Sequence, residues 1–389
     1  PLNRAMSYHI LYEACPWHRR AALFDEQGRL LTLRIDDDMR RFQEGTIVLG
    51  RVRKIEKSLG AAFVDIGDQV DGFLGLNNLL LEQKKIGITE GQAVLVRVSR
   101  AGFMEKGAKL DARVPMKMPP ASMPVPSIVQ APPNVLTRVL HDAGANPVQC
   151  WIPDARLRDV VARHIPEANI HQLDADSAMD WFDKLDMQLD ITLSPKPTYP
   201  FAGGTLIAEL TSAVATIDVN LNPNHLQGKA EAQLAGNLMA ATEVARLCRL
   251  LDLGGSVIVD FVTPRAEAHR NLITEHLMAC FQTSDDKFVS LRRMSRHGLV
   301  EITREREAAS LMLLLERPWA MAGRILLELW RTPAGRNPRV RSRTVRCHPD
   351  VAKLLDQRLT TEVCLAQLGM PVLVQADKLC PANRYELLG

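Results

Sequence analysis

Two apolar runs, each containing a single aspartate, stand out in the hydrophobic pattern of this chain. Residues 215–220 contain Asp218, and residues 257–262 contain Asp260. Residues 229–253, between the two runs, have a helical pattern and precede a Gly-Gly pair, which is typical of a helix C-cap. Strand, helix and strand in this order predict a βαβ unit with parallel strands.

The two aspartates are candidate metal ligands. A carboxylate within an apolar run is costly to desolvate unless it is paired or binds a metal ion. A βαβ unit can bring both carboxylates to one end of a sheet, where two hard oxygen ligands suit Mg²⁺ or Mn²⁺. The alternative is that each aspartate caps a helix or pairs with a nearby arginine, and the spacing alone does not decide between these interpretations.

Other parts of the chain carry weaker local signals. Residues 8–38 alternate apolar and polar positions and predict two strands joined by a turn at Glu26-Gln27-Gly28. Residues 115–133 are rich in proline and predict an extended linker without a helix or central strand. Near the C-terminus, a helix is predicted at about 349–358 and a strand at 371–375.

Composition is that of a multidomain globular protein. The chain has 389 residues, of which 46% are hydrophobic and 24% charged, and this length predicts two to four domains. No run approaches the length of a membrane span and the first residues do not resemble a signal peptide, so we expect a cytoplasmic protein without membrane contact. The seven cysteines include no CxxC pair, which favours reduced thiols over a zinc knuckle or a disulfide framework.

The net charge of +3 is distributed unevenly. Residues 287–347 carry fourteen Lys and Arg against five Asp and Glu, whereas residues 136–215 carry six bases against eleven acids. The basic region is densest in arginines and favours polyphosphate binding through counterion release. The alternative is a structural role, in which the basic region docks onto the acidic one. The arginines in question are Arg336, Arg339, Arg341, Arg343 and Arg346.

Three further strings give a specific resemblance. Residues 236–246, 249–255 and 294–306, in this order around the aspartates, resemble the catalytic half of the ribonuclease E/G family of bacterial endoribonucleases. The resemblance implies that Asp218 and Asp260 bind a catalytic Mg²⁺, with Mn²⁺ as a possible substitute, and that Asn220 helps to position it. It also assigns Arg296 to RNA binding.

A second resemblance concerns residues 50–55, 60–67 and 71–76, which look like an S1 domain, a five-stranded OB barrel for single-stranded RNA. It implies that Phe63 and Phe73 stack on bases and that Lys106 lies beside this platform. The alternative is that both phenylalanines belong to the barrel core, where phenylalanine is commonly found.

Together these resemblances imply an α+β multidomain fold. An RNase H-like subdomain contains an inserted S1 (OB) barrel and is followed by a DNase I-like catalytic α/β subdomain and a small C-terminal domain. The predicted ranges are 1–44 for the N-terminal strands of the RNase H-like subdomain, 45–114 for the S1 domain, 115–134 for the Pro-rich linker, 135–193 for the remainder of the RNase H-like subdomain, 194–315 for the catalytic subdomain and 316–389 for the C-terminal domain.

The chain also departs from the family pattern. No 5′-sensor subdomain is recognisable at residues 115–133, where the family places it. Arg317-Pro318-Trp319-Ala320 stands where the family has its CPxC zinc-link, so we expect no zinc and no zinc-linked dimer, while leaving other oligomers open. Residues 211–214 lack the family's glutamate, and residues 221–228 lack its arginine.

The sequence therefore predicts a Mg²⁺-dependent endoribonuclease that cuts single-stranded RNA in RNA processing or decay and leaves 5′-phosphate and 3′-hydroxyl ends. The alternative, favoured by the altered loop after Asn220, is an RNA-binding protein of the same fold with little catalysis, such as an RNA chaperone or ribosome maturation factor. His269 and His297 are candidate general bases, but a histidine near arginine is more often structural.

Overall fold

A computed structural model of the chain describes residues 7–38, 40–76, 88–102, 106–226, 230–282, 289–305, 309–331 and 342–388. It shows a mixed α/β protein that includes a closed five-stranded barrel. The contact pattern divides the chain into two units, one built mainly from Asp38–Arg138 and the other from the segments before and after it.

Strands and helices are both distributed along the whole described chain. The strands are β1 (Tyr8–Ala14), β2 (His18–Phe24), β3 (Leu30–Asp37), β4 (Ile47–Glu56), β5 (Ala61–Asp65), β6 (Gly72–Gly75), β7 (Ala93–Arg100), β8 (Lys109–Asp111), β9 (Ser127–Gln130), β10 (Val148–Ile152), β11 (Ile170–Gln172), β12 (Thr198–Phe201), β13 (Gly204–Leu210), β14 (Ala215–Leu221), β15 (Gly255–Asp260), β16 (Val289–Leu291), β17 (Leu299–Arg304), β18 (Arg343–Cys347), β19 (Val372–Ala376) and β20 (Tyr385–Leu388). The helices are α1 (Val135–Ala143), α2 (Arg158–Ala162), α3 (Ala175–Thr192), α4 (Pro223–Leu226), α5 (Ala230–Leu250), α6 (Glu267–Gln282), α7 (Leu311–Leu315), α8 (Pro318–Arg331), α9 (Pro349–Asp356) and α10 (Thr361–Val363).

The N-terminal strands belong to a five-stranded sheet with the order β11-β10-β1-β2-β3. β1, β2 and β3 are antiparallel neighbours, whereas β10 and β11 run parallel to β1. The sequence predicted two strands over residues 8–38, and this was wrong because a second tight turn divides them. The Cys15 amide donates to the His18 carbonyl oxygen at 2.9 Å and closes that turn around Pro16.

The unit built from Asp38–Arg138 contains the closed barrel, in which β4 pairs with both β5 and β7. Its core consists of small and branched apolar side chains such as Val48, Val64, Leu74, Val96 and Leu110. The predicted proline-rich linker contains a short strand that the sequence did not predict, since β9 pairs with β4 at the edge of the sheet. An edge position accommodates proline-rich chain, because proline cannot donate to a central ladder.

The predicted βαβ unit is present in the second unit. The six-stranded sheet has the order β12-β13-β14-β15-β17-β16, and β14 and β15 are parallel neighbours connected through α5. Apolar side chains of both strands alternate toward a large core that also contains Ala240, Val244 and Leu247 of α5.

The end of α5 differs from the predicted glycine cap. The helix ends at Leu250, and the first residue with positive φ after it is Asp252 (φ 48°), whereas Gly255 (φ 83°) begins β15. An aspartate in this region is uncommon. Here its carboxylate is held by the Arg34 guanidinium at 2.8 Å, while burial raises its pKa.

The C-terminal segment forms a three-stranded sheet, β19-β18-β20, whose core includes residues of α8 and α9 together with Cys15. The predicted helix and strand of this region correspond to α9 and β19. Among the described residues, no helix is both long enough and apolar enough to cross a membrane.

Candidate active site

Asp218 and Asp260 are direct neighbours across the parallel pair β14–β15. Adjacent strands lie about 4.8 Å apart, so the two side chains emerge side by side. Both residues are exposed, whereas Ile217, Val219 and Val259 beside them are buried. The expectation that the carboxylates are desolvated in an apolar environment was therefore wrong, because strand alternation directs them to the exposed face of the sheet.

Asn220 lies two residues after Asp218 on the same exposed face. Its side-chain amide donates to Asp218 Oδ2 at 2.8 Å. This hydrogen bond restricts rotation of the Asp218 carboxylate and leaves its other oxygen available. The structure thus brings together the three residues that the sequence assigned to the catalytic centre.

The electrostatics of the pair suit a cation. Partial burial, followed by the negative charge of Asp218, raises the pKa of Asp260. Neither carboxylate has a Lys or Arg partner within the described part of the chain. A divalent cation between them would relieve the repulsion of the two like charges.

The donor set also fits Mg²⁺. This ion is usually bound by one or two carboxylates and keeps several waters. The described residues contain no group of three or more His, Cys, Asp or Glu side chains placed to hold a metal. The two aspartates, whose side chains are exposed, could hold Mg²⁺ or Mn²⁺.

The segment after Asn220 contains a histidine that sequence reasoning did not single out. α4 places His225 so that its Nδ1 lies 3.0 Å from the Ala232 carbonyl oxygen at the start of α5. A hydrogen bond there requires the proton on Nδ1, since the carbonyl oxygen can only accept. The remainder of the predicted altered loop, residues 227–229, lies outside the described residues.

A tight turn at residues 295–298 lies next to the carboxylates, because Leu299, the next residue, pairs with Asp260. Arg296 and His297 of this turn are exposed, and His269 on α6 is half-buried. Arg296 therefore lies near the strand ends of β15 and β17, where Asp260 is paired with Leu299 on one side and with Asp218 on the other.

The barrel carries the predicted aromatic pair. Phe63 on β5 lies directly opposite Phe73 on β6, with ring centroids 6.1 Å apart in an edge-to-face arrangement. Phe73 is 37% exposed and Phe63 is half-buried, and neither belongs to the barrel core. The alternative that these rings form the core was therefore wrong.

Basic residues flank the aromatic pair around the barrel. Lys54 pairs with Phe63 in register on one side, and Lys109 pairs with Phe73 on the other. The predicted Lys106 is also exposed, three residues before Lys109. Sequence reasoning missed Lys54 and Lys109, because cross-strand register is needed to place them beside the rings.

Part of the basic region is engaged in ion pairs. Arg324 and Arg331 on α8 bind Asp190 and Asp186 on α3 at 2.8 and 3.3 Å, which joins the basic region to the acidic one. Arg346 instead binds Asp377 and Glu386. The docking alternative concerned the arginine-rich loop, of which Arg336, Arg339 and Arg341 lie outside the described residues, so it stays a prediction.

Several known proteins of similar sequence are ribonucleases by name. Residues 116–307 match the model of the ribonuclease E/G family. A chloroplastic ribonuclease E/G-like protein of Arabidopsis thaliana is 33% identical over 148 residues, covering 37% of this chain and 15% of that protein. Ribonuclease E of Escherichia coli (strain K12) is 24% identical over 387 residues, covering 75% of this chain and 36% of that enzyme. These matches confirm the predicted resemblance to the ribonuclease E/G family, which the family model shows for residues 116–307.

Within the ribonuclease E/G family, relatives differ greatly in length. A Buchnera aphidicola (subsp. Baizongia pistaciae) protein provisionally named ribonuclease E is 23% identical, and the match covers 74% of this chain and 92% of that protein. This chain nevertheless spans less than half the length of the Arabidopsis and Escherichia proteins. The range that matches the family model contains Asp218, Asn220 and Asp260 but begins after the barrel strands β4–β8.

Proposed function

We propose that this chain is a magnesium-dependent endoribonuclease that cleaves single-stranded RNA in RNA processing or decay. The observation that carries the proposal is the in-register pair Asp218 and Asp260 on an exposed sheet face, within the range that matches the ribonuclease E/G family. The names of the relatives support an endoribonuclease role.

The chain's own residues suit phosphodiester hydrolysis. Asp218 and Asp260 supply the oxygen ligands for the ion, and the amide of Asn220 fixes the orientation of Asp218. Mg²⁺, when bound, supplies positive charge against the scissile phosphate and favours deprotonation of the attacking water. Water adds to phosphorus and the bond to the 3′ oxygen breaks, so the products carry a 5′-phosphate and a 3′-hydroxyl.

The barrel complements this site as an S1-type RNA-binding domain. Phe63 and Phe73 offer faces and edges for base stacking, while Lys54, Lys106 and Lys109 supply positive charge along the same surface. Stacking tolerates any base, whereas the lysines bind the backbone. The barrel therefore contributes affinity without requiring a particular sequence.

The proposed activity does not require zinc. Arg317 and Pro318 lie at the start of α8, and the Trp319 ring lies 6.5 Å from the His18 ring of the same chain. This segment contains no cysteine or histidine to act as a zinc ligand. We propose that any oligomer forms without a zinc-link.

The test is cleavage of an oligoribonucleotide that carries a fluorophore and a quencher, with Mg²⁺, with Mn²⁺ and with EDTA. We expect turnover with either ion and no turnover in EDTA, with 5′-phosphate ends identified by mass spectrometry. One observation favours the alternative of RNA binding without catalysis, namely that residues 221–226 contain no arginine. Wild-type protein that binds the oligoribonucleotide but cleaves it with neither ion would establish that alternative.

A further inference from the structure

The loop that follows Asp260 is hydrogen-bonded to the turn that carries Arg296. The Phe261 amide donates to the Gly298 carbonyl oxygen at 3.1 Å. The Thr263 hydroxyl donates to the His297 carbonyl oxygen at 3.0 Å. The second contact uses a side chain, so it depends on which residue occupies position 263.

The turn is shaped to make these contacts. Gly298 has φ +88°, and a Cβ built there would lie 2.4 Å from the Phe261 carbonyl oxygen and 2.9 Å from Thr263 Oγ1. On the inner side of the turn, Ser295 Oγ accepts from the amides of His297 and Leu299, each at 3.2 Å. The backbone on both sides of Arg296 is therefore fixed by hydrogen bonds.

The loop itself is anchored to the crossover helix α5. Asn237 is completely buried, and its side-chain amide donates to the Val262 carbonyl oxygen at 2.8 Å. This hydrogen bond satisfies the buried NH2 group of Asn237, whereas its Oδ1 is buried without a hydrogen-bond partner among the described residues. Asn237 of α5 thus anchors Val262, the residue before Thr263, and Thr263 itself contacts the turn through its hydroxyl.

The arginines of this segment differ in their contacts, and Arg293 and Arg296 are both exposed. Arg292 forms an ion pair with Glu301 at 3.2 Å, and Arg304 is buried. Arg296 is exposed and has no hydrogen-bond or ion-pair partner among the described residues. An exposed guanidinium in the turn that precedes Leu299, the strand partner of Asp260, is available to a phosphate.

We infer that Thr263 is a positioning residue, which acts through the His297 carbonyl to hold Arg296 where it binds a backbone phosphate of RNA next to the Asp218–Asp260 pair. This inference rests on the proposed function. It assigns to Thr263 a role in substrate affinity, while Thr263 itself need not touch RNA.

The test is a double-mutant cycle on binding of a fluorescein-labelled single-stranded oligoribonucleotide, followed by anisotropy in EDTA. Thr263→Val retains the shape of the side chain and removes the hydroxyl, and it should weaken affinity about fivefold, within the range of coupled contacts. Arg296→Ala should weaken affinity at least as much, and the double variant should be no weaker than Arg296→Ala alone. Thr211→Val is the matched control, because the Thr211 hydroxyl donates to a turn carbonyl (Val214, 2.8 Å) at the opposite end of β14.

Two measurements separate positioning from a loss of folding. Thr263→Ser restores the hydroxyl and should restore affinity, whatever the stability of Thr263→Val. The slope of log affinity against log salt should become shallower by about 0.7 in Thr263→Val and in Arg296→Ala, which corresponds to one lost phosphate contact on a single strand.

Additive effects, an unchanged salt slope, or Thr263→Ser behaving like Thr263→Val would overturn the inference. Because the assay contains no metal and needs no turnover, it tests the role of Thr263 separately from the proposed catalysis. Wild-type protein that binds but does not cleave RNA contradicts the proposed catalysis alone. Cleavage without coupling contradicts the role of Thr263 alone, and wild-type protein that does not bind RNA contradicts both.

Discussion

Asp218 and Asp260 are held side by side although their charges repel each other. Partial burial and the charge of Asp218 raise the pKa of Asp260, and no cationic side chain among the described residues offsets the repulsion. A site that binds a cation is often less stable without it, because its residues are selected for function rather than for stability. The pair should therefore lower the stability of the metal-free protein.

The loss of stability that the carboxylate pair causes in the metal-free protein should depend on pH. The folded-state pKa of Asp260 is raised, so ionising it is less favourable in the folded protein than in the unfolded chain. The contribution of Asp260 to the stability of the folded protein is therefore largest below the pKa that Asp260 has in the unfolded chain. It falls as the pH rises through the higher pKa that Asp260 has in the folded protein, and it stays low at neutral pH. Asp260→Asn should raise the free energy of unfolding at pH 7 by about 0.5 kcal/mol or less, since Asp260 is mostly exposed.

Urea denaturation without divalent ions measures this effect. The gain in Asp260→Asn should shrink as the pH is lowered from 7 toward 4, while Glu209→Gln, an exposed carboxylate elsewhere on β13, should show no such gain. A gain that grows at acid pH would mean that Asp260 is stabilising and that the repulsion is compensated in some other way.

Asn220 gives a second prediction at the residue scale. Removing its hydrogen bond to Asp218 releases the carboxylate, and the loss of a contact that orients a metal ligand typically costs about 10- to 100-fold in activity or metal affinity. Asn220→Ala should therefore need more Mg²⁺ for half-maximal cleavage. Asn222→Ala is the control, because Asn222 makes only a long 3.4 Å contact to the Ala202 carbonyl oxygen. Equal Mg²⁺ requirements in Asn220→Ala and Asn222→Ala would contradict the proposed role of Asn220 in orienting Asp218.

At the scale of elements, the sequence predicted the parts that local pattern determines. The βαβ unit follows from apolar runs around a helical stretch, and β14, α5 and β15 confirm it. The alternation of Thr216, Asp218 and Asn220 with buried residues was visible in the sequence and already indicated an exposed face. Treating the run as uniformly apolar led to the wrong expectation of burial.

Features that depend on contacts distant in sequence were not predicted. Asp252, which has a positive φ, has its carboxylate bound by Arg34, more than two hundred residues earlier. Lys54 and Lys109 lie beside the aromatic pair only through the register of the barrel strands. Local propensity carries no information on such pairings, since they are set by tertiary packing.

The aromatic pair on β5 and β6 should contribute to the affinity for single-stranded RNA. Phe63→Ala combined with Phe73→Ala should weaken binding of single-stranded RNA by about 1–3 kcal/mol per lost stacked base, with the cleavage step at saturating RNA changed little. Because neither ring belongs to the barrel core, the circular dichroism spectrum should stay that of the wild type. Leu74→Ala, which empties a completely buried position on the same strand, is the control for unfolding. A double variant that unfolds like Leu74→Ala would contradict the platform.

At the scale of the whole molecule, the proposed function combines RNA binding by the barrel with cleavage at the Asp218–Asp260 pair, and residues 115–133 do not resemble the family's 5′-sensor. That range contains the edge strand β9 and proline-rich chain. A sensor changes catalysis only through contacts that distinguish the two forms of the RNA end. We therefore predict that cleavage depends little on the 5′ group.

The comparison uses one oligoribonucleotide with either a 5′-monophosphate or a 5′-hydroxyl, at matched salt because basic contacts are salt-dependent. The two rates should agree within a few-fold. A preference of about tenfold, or about 1.4 kcal/mol, would reveal a phosphate pocket, for which the arginines at 336, 339 and 341 are the first candidates.

The most direct test of the central claim is the cleavage rate of Asp218→Asn and Asp260→Asn with Mg²⁺, measured beside RNA affinity in the same preparations. Asparagine keeps the size of aspartate and removes the charge that holds the ion. We expect both variants to lose cleavage while their affinity for single-stranded RNA stays close to that of the wild type, and we expect Glu209→Gln to cleave at the wild-type rate. Wild-type rates in both aspartate variants would contradict it.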